Sequence, residues 1–540
     1  EWQELQTAIA TARYQIQILR QKASAQVGEE EAAIFDAHLL CLEDPEVIHK
    51  AQELILRSGL SAAAAWKSVL DDTVAAYEAL TDSYLQARAD DVRDVGQRVL
   101  RLLAGVTSAP LDLQEPAILV ATDLTPSQTA ELDPTKVLGI CTAVGGATSH
   151  AGILARSLGI PAVMGVGAEL SGWENGTLIA LDGDTGQIWV NPDEAQLREL
   201  QVKRDSQLAE EQALKVTAQL PAITRDGHQI KVMANISGIA DAKIAVNAGA
   251  EGVGLLRSEF LFLERAIAPT EEEQLEVYQA IADNILDPYP LIIRALDIGG
   301  DKPLPYLNLE PEANPFLGYR GIRILLDCPD LFKTQLRAIL RASYGRQIKV
   351  MFPMVASVRE IRAAKEILAT VKAELRSEGK SFDEAMEVGI MVEVPSSVAM
   401  ADKLAAEVDF FSIGTNDLSQ YVMACDRNNP KVAKLADAFE PAVLRMIQST
   451  VKAARDAGIW VGVCGELASI PEAIPILVGL GADELSMNSP AIPAVKATIA
   501  KLTMREAEAI AGTVLQLDSA EAVKHYVIDY LGGKATIADK

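Results

Sequence analysis

From residue 222 onward the chain alternates short strand-like runs with longer amphipathic helical runs, eight times over. The strand-like runs are 230–236, 252–260, 291–298, 348–355, 388–394, 408–413, 460–464 and 484–487. Between them lie stretches such as EEEQLEVYQAIADNIL and VREIRAAKEILATVKAELRSEG, with apolar residues three and four apart. Strands returned one after another by helices form a parallel sheet, and eight such units close it. The pattern predicts a C-terminal (β/α)8 TIM barrel over 222–540.

A barrel of this kind places its chemistry at the C-terminal strand ends. There the second run carries Arg257 and Glu259. The third carries Arg294 and Asp297 and leads into Gly299, Gly300, Asp301 and Lys302. The fifth ends in Glu393, the sixth runs into Asn416, Asp417 and Arg427, and the seventh into Cys464 and Glu466. One strand-end arginine is most often a surface ion pair, but polar groups at five strand ends form a set. Arg257, Arg294 and Arg427 offer planar forks for phosphate or carboxylate. Glu393 and Asp417 offer hard oxygen ligands for Mg²⁺. The set suits a metal-bridged, phosphorylated carboxylic acid. Cys464 reads either as a neutral thiol that protonates a carbanion or as a small buried apolar residue.

Upstream the texture differs. Residues 1–105 contain one proline, Pro45, and repeat apolar residues at helical spacing, which predicts a helical bundle. Residues 106–192 hold short β-rich runs punctuated by Gly, Pro and Asp, which predict a small α/β domain. Residues 193–221 read as one solvated connecting helix of mixed charge. The whole is a multidomain α/β protein.

The charge balance, 49 basic against 75 acidic residues for a net −26, disfavours nucleic acid and suits a basic partner or a cation-assisted site. No apolar run is long enough to span a bilayer, so no membrane insertion is expected. Five scattered cysteines without a CxxC read as reduced thiols in a cytoplasmic protein. The chain begins at Glu1, which reads as a processed chain or a piece of a longer one.

Of the five histidines, His38, His49, His228 and His525 read as structural or solvated. His150 lies in GGATSHAGILARSLGIPAVMG. Gly145 and Gly146 allow a tight turn, and Thr148 or Ser149 can cap a helix starting near the histidine. Free N–H groups at a helix start favour a phosphoryl group, and imidazole is a competent nucleophile near neutrality. A satisfied turn histidine is the other reading.

That segment resembles the phosphohistidine signature of the phosphoenolpyruvate-utilising enzymes: enzyme I of the sugar phosphotransferase system, pyruvate phosphate dikinase and phosphoenolpyruvate synthase. DFFSIGTNDLSQYVMACDRNN resembles their barrel-mouth signature. GVGLLRSEFLF, RALDIGGDKPLPY, NPFLGYRGIR, IMVEVP and GVCGELA are similar to enzyme I segments. GEEEAAIFDAHLLCLEDPEV and ADDVRDVGQRVL resemble the helices with which enzyme I docks the phosphocarrier HPr, and a nucleotide-binding domain has no room here.

The resemblance implies that His150 is phosphorylated by phosphoenolpyruvate and passes the group to HPr. It implies that Thr129 helps hold the imidazole, and that Arg257, Arg294, Asn416, Asp417 and Arg427 bind phosphoenolpyruvate. It implies Glu393 and Asp417 as Mg²⁺ ligands, Cys464 as the proton donor that gives pyruvate, and a homodimer through the barrel. The acidic run Glu29, Glu30 and Glu31 would suit a basic carrier. A synthase-like enzyme with a separate nucleotide subunit and a non-catalytic phosphoenolpyruvate sensor are the rival readings. Two departures stand out: Ala147 replaces the family's usual arginine, and the family's opening strand and Ser-Pro-Gly turn are missing.

Overall fold

The computed structural model describes all residues except 28–31, 33, 80–82, 107–112, 114, 147–148, 264, 266, 286–287, 300–303, 305, 308, 311, 428, 430 and 533–540. The expectations placed on Glu29–Glu31, Ala147, Thr148, Gly300, Asp301 and Lys302 therefore lie outside the described residues. The chain divides into two compact units, Glu1–Leu208 and Ala209–Lys540.

The first unit opens with helices α1 (Trp2–Val27), α2 (Ile34–Glu43), α3 (Pro45–Ser58), α4 (Ala62–Glu78) and α5 (Ser83–Leu103). Along α1 the residues Leu5, Ala8, Ile9, Ala12, Ile16, Leu19 and Ala23 are all buried, a stripe of helical period. It packs with Phe35, Trp66 and Val99 into one apolar core. Asp44 caps α3 by accepting from Glu46 N at 2.8 Å, with Pro45 in the first turn. Gly96 lets α4 approach α5 closely, because a Cβ there would lie 2.2 Å from Leu70 Cδ1.

The small α/β layer follows. Strands β1 (Ala117–Ala121), β2 (Val137–Thr142) and β3 (Ala162–Val163) form a parallel sheet. Helices α6 (Pro126–Glu131) and α7 (His150–Ser157) lie between these strands in sequence. Strands β4 (Ile179–Asp182) and β5 (Gln187–Val190) form a separate antiparallel hairpin. Helix α8 (Glu194–Thr217) buries none of its residues.

In the second unit the eight expected strands are all present: β6 (Lys231–Ile236), β7 (Val253–Arg257), β8 (Leu291–Arg294), β9 (Ile348–Phe352), β10 (Val388–Val392), β11 (Phe410–Ile413), β12 (Trp460–Val463) and β13 (Glu484–Met487). They close in sequence order, β13 pairing with β6, and every pairing is parallel. Several end earlier than their apolar runs: β7 stops at Arg257 because Ser258–Leu261 winds into a 3₁₀ turn. Leu255, Ile292, Met351, Met391, Phe410 and Cys464 pack as one cluster inside the barrel. Alternate residues such as Leu256, Ile293 and Phe411 join the larger core beneath the helices. Among the described residues no helix is long and apolar enough to cross a membrane.

Candidate active site

The barrel mouth holds a cavity of about 830 Å³. Arg257, Arg294, Glu393, Asn416, Asp417, Arg427 and Cys464 all line it, so the residues expected at separate strand ends do converge.

Inside it, charges alternate along a chain of contacts. Arg294, nearly buried, donates from Nη2 to Glu259 Oε1 at 2.8 Å and lies 3.3 Å from Asp297 Oδ2. Asp297 receives Arg320 on both oxygens, at 3.3 Å from Nε and 2.9 Å from Nη2. Arg320 Nη1 reaches on to Asp417 Oδ1 at 3.1 Å, and Asp417 Oδ2 lies 3.6 Å from Arg427. Phe316 sits beneath both Arg320 and Arg427, with its ring centroid 5.7 and 5.6 Å from their guanidinium carbons. Burial disfavours the charge on Arg320, but Asp297 and Asp417 outweigh it and hold the guanidinium protonated. Glu259 Oε2 and Arg294 Nε are buried without a hydrogen-bond partner. Asn416 is locked by Glu466: its Nδ2 donates to Glu466 Oε1, and its Oδ1 accepts from Glu466 N, both at 2.9 Å.

Glu393 is buried, and its Oε1 accepts from Met354 N at 2.6 Å. Its Oε2 faces Gly414, where a Cβ would lie 2.9 Å away. Burial, then the nearby Asp417 and Asp297, push this carboxyl up to about 8. Two hard carboxylates close enough to repel fit a Mg²⁺ ion, which takes few protein ligands and keeps sites for water and substrate oxygens. Among the described residues no set of three or more His, Cys, Asp and Glu side chains forms a fuller metal cage.

Cys464 is buried, with Sγ 3.6 Å from Ile413 O, and burial pushes its thiol up to about 11. Its own carbonyl accepts from Asn235 Nδ2 at 2.9 Å, and Ser486 Oγ donates to Asn235 Oδ1 at 2.7 Å. Neighbouring strands thus fix the backbone that carries the thiol.

The first unit carries His150. Ser149 caps α7, accepting from Gly152 N at 3.2 Å, which places the imidazole at a helix start. The ring is 28% exposed, and its Nδ1 lies 3.2 Å from Asp91 Oδ1. The same oxygen lies 3.4 Å from His38 Nε2. Thr129 is buried, and its hydroxyl donates to Thr125 O at 3.0 Å, within its own helix.

Sequence reasoning overlooked Arg320, Asp91 and the part of His38. Arg320 follows β8 by a long loop, so no strand end advertised it. Asp91 left one trace: with Asp94 it places two acids on the buried face of α5, beside Val92, Val95 and Val99.

Three family models match the chain. The model of the phosphoenolpyruvate-binding domain of phosphoenolpyruvate-utilising enzymes matches residues 211–504. The mobile-domain model matches 113–186, and the N-terminal model matches 1–88. The phosphoenolpyruvate-protein phosphotransferase of Geobacillus stearothermophilus is 44% identical over 528 residues, covering 97% of this chain and 90% of the relative. That of Haemophilus influenzae is 43% identical over 519 residues, covering 96% and 90%. The multiphosphoryl transfer protein of Rhodobacter capsulatus is 47% identical over 519 residues, covering 96% of this chain and 62% of its own length. The chain therefore belongs to the phosphoenolpyruvate-protein phosphotransferase family, that of enzyme I.

Proposed function

We propose that this chain takes the phosphoryl group of phosphoenolpyruvate onto its own His150, releases pyruvate, and passes the group to a histidine of the phosphocarrier HPr. The observation that carries this is one cavity lined by four arginines, by carboxylates that include Glu393 and Asp417, and by the Cys464 thiol.

Arg257, Arg294 and Arg427, with Arg320 beside them, hold the phosphate and carboxylate of the substrate in fixed forks. Asn416, locked by Glu466, keeps its place on the cavity wall. Glu393 and Asp417 would hold Mg²⁺, which supplies positive charge to substrate oxygens. An imidazole nitrogen of His150 attacks phosphorus; the N–P bond forms as the bond to the enol oxygen breaks, and the arginines stabilise the transferring group. The electrons left on the enol oxygen return as the enolate takes a proton at its terminal carbon from Cys464, giving pyruvate. Thr129, whose hydroxyl already donates to Thr125, can serve His150 only by accepting from it. In this reading the protein works as a homodimer joined through its barrels.

A single-turnover assay with ³²P-labelled phosphoenolpyruvate and Mg²⁺ tests this against His150→Ala. Acid-labile, base-stable label that requires His150 and moves to added HPr is the expected result. Label that persists in H150A, or that needs ATP, overturns the reading.

A further inference from the structure

Two of the four arginines in the barrel mouth, Arg320 and Arg427, come from loops, and each must hold the end of a long, rotatable side chain in place. Their backbones are fixed. Gly321 N donates to Ile298 O at 2.9 Å, and Arg320 forms an isolated bridge with Gly299. Ala424, left-handed at φ 51°, turns the chain back after the helix Thr415–Val422, and Arg427 N donates to Gln420 Oε1 at 3.0 Å. Their heads differ. Arg320 is held by Asp297 and Asp417. Arg427, 35% exposed, has among the described residues only Asp417 at 3.6 Å and the ring of Phe316. We infer that Phe316, latched by the Tyr421 hydroxyl, is the positioning residue that holds the guanidinium of Arg427, and that of Arg320 beside it, toward the substrate. This inference rests on the reading of the barrel mouth as the phosphoenolpyruvate site.

Phe316 and Tyr421 are half-buried and neither lines the cavity, so both act through other residues. The Phe316 centroid lies 5.7 Å from the guanidinium carbon of Arg320 and 5.6 Å from that of Arg427. The negative face of an aromatic ring attracts a cation within ~6 Å. A planar guanidinium held at such a face keeps N–H groups along its edge for an anion. One ring in contact with two arginines also ties their positions together.

The ring must itself be placed, and its loop is laced internally. Tyr319 N donates to both oxygens of Glu312, at 3.1 and 3.0 Å, and Arg323 Nη1 donates to Gly318 O at 2.6 Å. Gly318 leaves room for the Glu312 carboxylate, which a Cβ would strike. Tyr421 ties this loop to the helix that carries Asp417, because its hydroxyl donates to Phe316 O. A hydroxyl has one hydrogen, so a lone pair is what Arg320 Nη1 meets at 3.4 Å. Tyr421 stands one turn after Asp417, on the same side of the helix. Acid, hydroxyl, ring and both arginines thus form one knot behind the cavity wall.

The test is calorimetric titration of phosphoenolpyruvate with Mg²⁺ into the full chain carrying H150A, which lacks the phosphoryl acceptor. F316L should weaken binding by ~10-fold, and Y421F, which deletes one oxygen, by ~3-fold or more. F316Y keeps the ring face and should stay within about twofold of the parent. A second readout needs no substrate: phenylglyoxal modification of Arg427, mapped by mass spectrometry against the exposed Arg198. F316L and Y421F should speed it several-fold, and F316Y should leave it unchanged. Parental binding in F316L, unaltered Arg427 modification in F316L, or F316Y as weak as F316L overturns the role of Phe316. A Y421F protein unaltered in both readouts removes Tyr421 from the proposal. If F316L does not fold, Y421F decides. If the H150A parent binds no phosphoenolpyruvate, the functional reading of the mouth fails, while the modification of Arg427 still judges Phe316.

Discussion

Met354 donates its backbone N–H to Glu393 Oε1 at 2.6 Å from a left-handed conformation, φ 56°. A non-glycine residue in that region costs about 1 kcal/mol or more, so the surrounding structure holds it there. The bond also fixes which Glu393 oxygen remains for a cation.

Glu393, pushed up to about 8, holds its proton through neutrality when no metal is bound. Cation binding must release that proton, so Mg²⁺ affinity should rise from pH 6 to pH 8. Calorimetry in two buffers of different ionisation enthalpy would read the proton directly. The raised value also means that the unfolded carboxyl ionises first, so metal-free stability falls as pH climbs from about 4.5 toward 8. E393Q, neutral throughout, should therefore raise the melting temperature more at pH 8 than at pH 5 while abolishing metal-dependent turnover.

Arg320 joins Asp297 to Asp417. Removing it leaves two buried carboxylates facing each other. R320A should cost roughly 3–5 kcal/mol in denaturant unfolding, the range for breaking a buried pair. R320A/D297N should recover part of that loss, and a double variant no better than R320A would contradict the pairing.

Cys464, with its thiol near 11, is expected to resist iodoacetamide at pH 7.5 unless the protein is unfolded. C464S exchanges the donor for a weaker acid. Label should still appear on the enzyme in a single turnover, whereas pyruvate should form ~10²-fold more slowly. Rapid-quench sampling of both products separates the steps.

The seam between Asn235 and Cys464 gives a quieter prediction. N235A removes the donor to the Cys464 carbonyl and the partner of Ser486. The expected cost is about 1–3 kcal/mol of stability, with proton delivery slowed more than label formation. Equal slowing of both would make Asn235 structural alone.

Much of this was legible because barrel strands are continuous apolar runs and because strand ends carry the chemistry. Arg257, Arg294, Glu393 and Cys464 stand at such ends, so their convergence followed from topology. Arg320 did not follow, since it comes from a loop whose path depends on tertiary packing. Asp91 lay hidden for a similar reason. A helical sequence reports which face is buried but not which neighbour's side chain waits there. The early ends of β7 and β8 were hidden too, because apolar residues past a strand end stay buried in the core.

Helix α8 has 24 residues, none buried. Within its first half Lys203 holds Asp182 at 2.6 Å. Just past its C-terminal end, buried Lys496 donates to Ala218 O and Leu220 O at 2.9 Å and pairs with Glu251 at 3.1 Å. Beyond Lys203 the helix runs on for ~21 Å with no buried side chain. Such a helix rests on its own hydrogen bonds rather than on burial. Its amides should exchange with solvent far faster than those of the barrel strands. A helix with no residue in a core can fray without opening the cores at its two ends.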